Sequence, residues 1–436
     1  PLAALLAGVA IEMSVPDFVL RLAGLVGSAF AAAWLVRRIV PATTRAAHRE
    51  HIDGLAVVNL VVFAVAIMDG VTAFALQAPA YVATALAAAF AFNLLLQAAG
   101  YVAFNRLGRR GALTVALVLG VGGAVFLRAL ATAGFPEPIV VAEQFTPDAA
   151  FPTVDFPNPE EPGAMDLAFA TAAEADADII IAHDPDADRC AVGVPTSAGW
   201  RMLTGDEVGS LLGWWIAVGN RRFNRGGTFA QSIVSGTMLE AIASNYRLGY
   251  AQTLTGFKWI ARVPKLMFGY EEALGYCVDP DHVKDKDGIT AALMIAEMTS
   301  RLKAKDRTLQ DVLDELAVAF GVHATRQVSV RVDDLARIDD VMGRLRSHPP
   351  TSVAGRDVKT IDDLNKGLDG LPPTDGLRIR LSSSASIIVR PSGTEPKVKC
   401  YLQSVVPVTD DDLPAARQAA DDELDAIAAD VRRWLE

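Results

Sequence analysis

Through the first hundred residues apolar positions run almost unbroken, and beyond residue 135 they come in short blocks separated by turns. The unbroken part holds three stretches long enough to span a bilayer, Phe18–Val36, Gly54–Leu76 and Pro79–Phe104, and Leu2–Ile11 reads as the tail of a further one. These runs lack the polar outer face that a soluble helical bundle needs. They predict an all-α transmembrane segment of three to four helices within residues 1–119. The later pattern predicts α/β layering. PEPIVVA (Pro136–Ala142) reads as a strand, AMDLAFATAAEAD as a helix, and DADIIIA (Asp176–Ala182) as a buried strand returned by CAVGV. Near the end LRIRL, SIIVR and KVKCYLQ read as strands ahead of a closing helix, Leu413–Leu435. Between the two regimes, LTVALVLGVGGAVFLRALATAGF fits both patterns, and the change falls near Leu119–Gly120.

Charge divides at the same place. Residues 1–120 carry eight Arg, no Lys and five acids, a balance of +3, and the remainder carries 32 basic and 46 acidic residues, a balance of −14. Arg37, Arg38, Arg45 and Arg49 follow the first span and Arg106, Arg109 and Arg110 the third, whereas QA alone separates the second and third. That is the positive-inside pattern, and it places the α/β part in the cytoplasm. Asn59, Asp69, Asn93 and Gln97 lie inside the spans, where polar groups mark contacts or pathways. The acidic second part argues against nucleic-acid binding. Cys190, Cys277 and Cys400 are odd in number and far apart, as expected of reduced thiols. The chain opens at Pro1 inside an apolar run, without a basic n-region, which reads as the start of a fragment and not as a signal peptide.

Three loops carry chemistry. HDPDADR places Asp184, Asp186 and Asp188 at alternate positions after a strand, and carboxylates so crowded call for a cation, with all-oxygen ligation suiting Mg²⁺. An EF-hand would need Gly where Arg189 stands and Glu where Pro195 stands. A phosphatase of the haloacid-dehalogenase type would need a distant GDxxxD, and a solvated acidic turn is the plain alternative. GYEEALGY sets Glu271 and Glu272 between glycines, a way to grip vicinal hydroxyls that is weak by itself. RPSGTEPK ends a strand on Arg390 and offers Ser392, Gly393 and Thr394 in a tight turn, a phosphate cradle with a bidentate arginine.

In this order the loops resemble the phosphohexomutase superfamily over about residues 120–436. The resemblance implies a truncated multi-domain α/β fold: a partial second domain (120–203), a third (204–320) and a fourth (321–436). It implies Asp184, Asp186 and Asp188 as magnesium ligands and Arg189 as a substrate contact. It further implies Lys258 of TLTGFKWIAR approaching the sugar, Glu271 and Glu272 at the hydroxyls, and Arg390, Ser392, Gly393 and Thr394 at the phosphate. Where the commoner form of the hydroxyl-binding loop has Ser, this chain has Ala273. The implied activity is intramolecular phosphoryl transfer on hexose or pentose phosphates through a phosphoserine in a T-[AS]-S-H-N-P sequence. No such sequence occurs; among the six His only His348 follows a Ser, Ser347, and that pair reads as a helix-ending turn. The expectation is a phosphosugar-binding chain with near-zero turnover and no catalytic serine. Over about residues 1–119, IDGLAVVNLVVFAVAIMDG and FNLLLQAAGYVAFNRLGRRGALTVALVLG resemble part of the bile acid:sodium symporter family, so a transporter remnant or a membrane-tethered phosphosugar binder are the alternatives. No oligomeric state follows from the sequence.

Overall fold

The computed structural model describes residues 122–146, 148, 151–220, 226–331, 336–391 and 397–435. All belong to one compact unit, Leu117–Glu436. The transmembrane stretches read within residues 1–119 lie outside the described residues, and no described helix is long and apolar enough to cross a membrane. Within the described residues the α/β expectation holds.

Helix α1 (Gly122–Thr132) is amphipathic, with Leu130 buried and Arg128 exposed. The strand read at Pro136–Ala142 does not form. The chain runs without pairing into a single turn, α2 (Ala142–Phe145). Pro136 and Pro138 remove two ladder donors from seven residues. Ile139 is 66% exposed, so burial gives this stretch no reason to extend against a neighbour. Helix α3 (Asp166–Glu174) ends with Asp176 in the left-handed region (φ 50°) and the Ala177 amide on the Ala172 carbonyl. This Schellman-type closure uses the residues expected to open the next strand, so β1 begins only at Ile180. β1 (Ile180–His183), β2 (Cys190–Thr196) and β3 (Gly199–Met202) form an antiparallel meander with β2 in the middle. The β1–β2 connection is the acidic loop.

The next sheet has the order β5-β4-β6-β7. β4 (Thr228–Ser232), β5 (Gly249–Thr253) and β6 (Leu266–Glu271) are parallel, and β7 (Gly275–Cys277) returns antiparallel. Parallel strands end on one side, so the turns after Ser232, Thr253 and Glu271 gather at one edge of the sheet. Five helices surround it: α4 (Gly205–Asn220), α5 (Met238–Asn245), α6 (Phe257–Ile260), α7 (Gly288–Lys303) and α8 (Leu309–Phe320). Asp287 caps α7 by accepting from the Ile289 and Thr290 amides, and Thr308 with Asp311 forms a capping box on α8. Phe229, Phe268, Tyr270 and Tyr276 make a ladder of rings with centroids 5.7, 6.1 and 6.3 Å apart.

The last part is a six-stranded antiparallel sheet of order β8-β13-β12-β11-β10-β9. Its strands are β8 (Val322–Arg331), β9 (Ser352–Val353), β10 (Arg356–Asp363), β11 (Leu377–Leu381), β12 (Ser386–Pro391) and β13 (Lys397–Val406). Helices α9 (Ala336–Ser347) and α10 (Leu413–Leu435) contribute apolar residues to its core. Ser347 ends α9 with its hydroxyl on the Gly343 carbonyl, as the helix-ending reading requires.

Gly205, Gly209 and Gly213 recur every fourth residue along α4 and let it approach β6 closely. A methyl at Gly209 would stand 2.7 Å from the Tyr270 ring. In an exposed helix Gly→Ala gains up to about 1 kcal/mol, whereas overpacking a core costs about 1–3 kcal/mol. Gly209→Ala is therefore expected to lower the urea midpoint of unfolding; an unchanged or raised midpoint would show that Tyr270 yields freely.

Candidate active site

The acidic loop is folded by its own backbone. Ala187 takes a left-handed conformation (φ 57°) that an alanine adopts at a cost of about 1–2 kcal/mol, and its amide donates to the Asp184 carbonyl at 3.0 Å. Asp184, Asp186 and Asp188 then offer oxygens that all lie within 4.8 Å of one another, with Asp184 buried and Asp186 exposed. Burial opposes ionisation of Asp184, but the Arg189 guanidinium 2.6 Å away and the Arg189 amide hold its carboxyl below the usual range. Asp186 is pushed up by desolvation and by the other two carboxylates. The donor set is all oxygen, and oxygens bound to one magnesium at about 2.1 Å need only small side-chain rotations from these positions. The three aspartates thus fit a hard divalent cation.

Arg189 is committed to this loop, with Nη1 also at 3.5 Å from Asn158 Oδ1. Lys286, which the sequence reading missed, places Nζ 2.6 Å from Asp188 Oδ2. Its stem fills the space that a Gly275 side chain would need, and its ammonium lies 5.9 Å from the Phe257 ring centre. One lysine therefore touches the acidic loop and the turn between β6 and β7, and it reaches the helix that carries Lys258. Only its place just before the Asp287 cap hinted at it in the sequence.

The acidic loop and the glutamate loop are joined by backbone. The Cys190 amide donates to the Leu274 carbonyl at 3.1 Å, and Arg189 bridges Gly275 in antiparallel fashion. Glu271 ends β6 and accepts from the Gly256 amide at 2.6 Å. Desolvation raises its carboxyl, against the pull of that amide, Lys286 and Arg390. Glu272 turns the other way. Its Oε2 meets Ser232 Oγ at 3.0 Å and Ser235 Oγ at 3.1 Å, and those hydroxyls lie 2.9 Å apart. Both hydroxyls thus converge on one carboxylate oxygen and on each other. Burial, Asp206 and Glu271 push Glu272 up to about 7.

Lys258 is exposed on α6, with Nζ 5.8 Å from the Trp259 ring centre. Arg390, on β12, donates from Nη1 to the Thr255 hydroxyl, one residue before the amide that holds Glu271. The structure thus brings Arg390 and Lys286 near Glu271 and Lys286 onto the acidic loop, leaves Lys258 exposed on α6 beside Trp259, and turns Glu272 toward Ser232 and Ser235. Ser392, Gly393 and Thr394 lie outside the described residues. Thr255, Ser232, Ser235 and the buried Asp206 also escaped the sequence reading, because single serines, threonines and an ordinary helix-start aspartate carry no local signature.

Fold and site are those of a multi-domain α/β protein with its functional loops gathered at one end of a mostly parallel sheet. Sequence profiles of phosphoglucomutase/phosphomannomutase match it in order: α/β/α domain II over residues 101–198, α/β/α domain III over 204–320 and the C-terminal domain over 297–416. The chain belongs to the phosphoglucomutase/phosphomannomutase family. The first match begins ahead of the change in pattern read at Leu119–Gly120. The symporter likeness of residues 1–119 finds no support in these matches. The "Probable phosphomannomutase" of Haemophilus influenzae is 48% identical over 287 residues, covering 65% of this chain and 58% of that protein. Mouse phosphopentomutase is 34% identical over 342 residues, covering 71% of this chain and 55% of that protein. The chain thus spans little more than half the length of these relatives. A phosphoglucomutase/phosphomannomutase family protein from Burkholderia thailandensis superposes with a TM-score of 0.50 at 18% identity, over 71% of this chain and 58% of that one, a likeness of fold.

Two outcomes are expected. A methyl at Gly288 would stand 2.3 Å from the Arg189 carbonyl and 2.7 Å from that of Ala187. Gly288→Ala should weaken Mn²⁺ binding, followed by electron paramagnetic resonance, by about tenfold or more, as loss of supporting contacts around a metal site does. Unchanged affinity would show that the loop tolerates displacement. The raised Glu272 carboxyl favours the folded state below the unfolded value of 4.5, and that contribution fades as pH rises toward about 7. Relative to Glu272→Gln, the wild-type chain should lose about 1–3 kcal/mol between pH 4.5 and pH 8, read from urea midpoints. Parallel pH profiles for the two proteins would refute the assignment.

Proposed function

We propose that this chain binds a sugar phosphate together with Mg²⁺, as the binding side of a phosphomutase, and that these 436 residues alone do not turn it over. What supports the reading most is the pair of adjacent contacts by which Arg390 reaches Thr255 while the neighbouring Gly256 amide holds Glu271. A phosphate needs a fork of donors, and Arg390 supplies one at the end of β12. Sugar hydroxyls need an acceptor, and Glu271 presents one at the end of β6. Lys258, exposed on α6, offers a mobile positive charge to the same ligand.

Asp184, Asp186 and Asp188 would hold Mg²⁺, which when bound neutralises negative charge on a phosphoryl group in transit. Arg189 pairs with Asp184 and Lys286 with Asp188, which orients those two carboxylates. The relatives named as phosphomannomutase and phosphopentomutase make both six- and five-carbon sugar phosphates reasonable ligands. Transfer by the family's covalent route needs a serine in a T-[AS]-S-H-N-P sequence, and these 436 residues contain none.

Calorimetric titration of the full chain with glucose 1-phosphate and with ribose 1-phosphate, each with Mg²⁺, tests the binding. Arg390→Ala should abolish it, and Glu271→Gln should reduce it to the affinity for inorganic phosphate, a loss of about tenfold or more. Absence of binding to either sugar phosphate overturns the reading. Mutase turnover with added glucose 1,6-bisphosphate that disappears in Asp186→Asn overturns the inactivity.

A further inference from the structure

Adjacent glutamates at the end of β6 invite the assumption that both grip the ligand. The backbone separates them. Glu271 is the last residue of the strand, so its neighbour's side chain leaves from the opposite face. Every part of Glu272 is engaged on that other side. Its amide donates to Ser235 Oγ at 3.2 Å, and its carboxyl receives Ser232 and Ser235. Its carbonyl oxygen lies 1.8 Å from where a Gly205 side chain would begin.

Ser235 is itself held. It belongs to the turn after β4, whose Gly236 amide donates to Asp206 Oδ1 at 2.7 Å. Tyr270, one residue before Glu271, donates its hydroxyl to the same oxygen at 2.9 Å. Asp206 sits in the first turn of α4, where the helix dipole favours a carboxylate. A continuous set of contacts thus runs from the start of α4 through the β4 turn to Glu272. The residue set in place by it is Glu271, whose carboxylate meets the Gly256 amide.

We propose that Glu272 is a positioning residue: it bolts the β6–β7 turn to Ser232 and Ser235 and thereby aims Glu271 at the ligand, without touching the ligand itself. This rests on the phosphosugar reading for what Glu271 grips, but the aiming of Glu271 does not depend on it. Glutamine keeps the acceptor and the shape while adding no charge beside Asp206; alanine keeps neither.

The Gly256 amide reports on Glu271 without any ligand, because its protection from hydrogen exchange requires the Glu271 carboxylate in place. In the full chain Glu272→Ala should speed exchange at Gly256 by about tenfold or more relative to the Ala230 amide in β4, and Glu272→Gln by less than about twofold. Ser232→Ala combined with Ser235→Ala should reproduce the alanine result and serves if Glu272→Ala does not fold. Titration with glucose 1-phosphate should follow the same order, weak for Glu272→Ala and rescued in Glu272→Gln. Unchanged relative exchange at Gly256 in Glu272→Ala or in the double serine variant overturns the proposal. So does a loss of affinity in Glu272→Gln matching that of Glu271→Gln, which would make Glu272 a direct contact. If the wild-type chain binds no sugar phosphate, the functional reading falls, and the Gly256 amide still decides the role of Glu272.

Discussion

At Gly288 the first turn of α7 presses so close to the carbonyls of Ala187 and Arg189 that no side chain fits between them, and at Gly205 the start of α4 meets the backbone of Glu272 in the same way. These are contacts of backbone on backbone, with no side chain to bend out of the way. They fix the acidic loop against α7 and the glutamate loop against α4. The hydrogen bond from Cys190 to Leu274 then ties the two loops together. The reach of Lys286, the aim of Glu271 and the spacing of the aspartates all follow from that frame.

Within the frame, charge decides the rest. Two ionised carboxylates less than 4.8 Å apart repel by about 3 kcal/mol or more at an effective dielectric near 20. Arg189 and Lys286 stand against Asp184 and Asp188, and a divalent cation would relieve what remains. The second acidic group, Asp206 with Glu272, is handled differently. With Asp206 buried and Glu272 half-buried among hydroxyls and an amide, it relies on hydrogen bonds and raised carboxyls instead of ion pairs. The two acidic groups thus respond to different conditions: the first to salt, the second to pH.

Periodicity carried much of the fold. The closing helix has the bounds its pattern implies, and the strands LRIRL, SIIVR and KVKCYLQ form where they were read, the last two running one and three residues longer. Loops that announce their chemistry in adjacent letters were legible too, notably Asp184, Asp186 and Asp188. PEPIVVA misled because β-branched composition cannot supply a pairing partner, and DADIIIA because the closure of the preceding helix took its first residues. Glu272 was read as a ligand contact, whereas its direction depends on Ser232 and Ser235, 40 and 37 residues upstream. Lys286 and Thr255 are single residues whose meaning exists only after folding. The apolar pattern of residues 1–119 and the turn at 392–394 fall outside the described residues, so their reading rests on sequence.

Cys190, Cys277 and Cys400 are unpaired, each almost fully buried, and burial pushes each thiol up to about 12. Their distribution has a practical side: one lies in the meander behind the acidic loop, one in the mostly parallel sheet and one in the final antiparallel sheet. Because a thiol so placed reacts only when its surroundings open, alkylation at the three positions would time the breathing of each sheet separately. The chain carries one built-in clock per layer, and a bound ligand that stiffens the cleft would slow the first two more than the third.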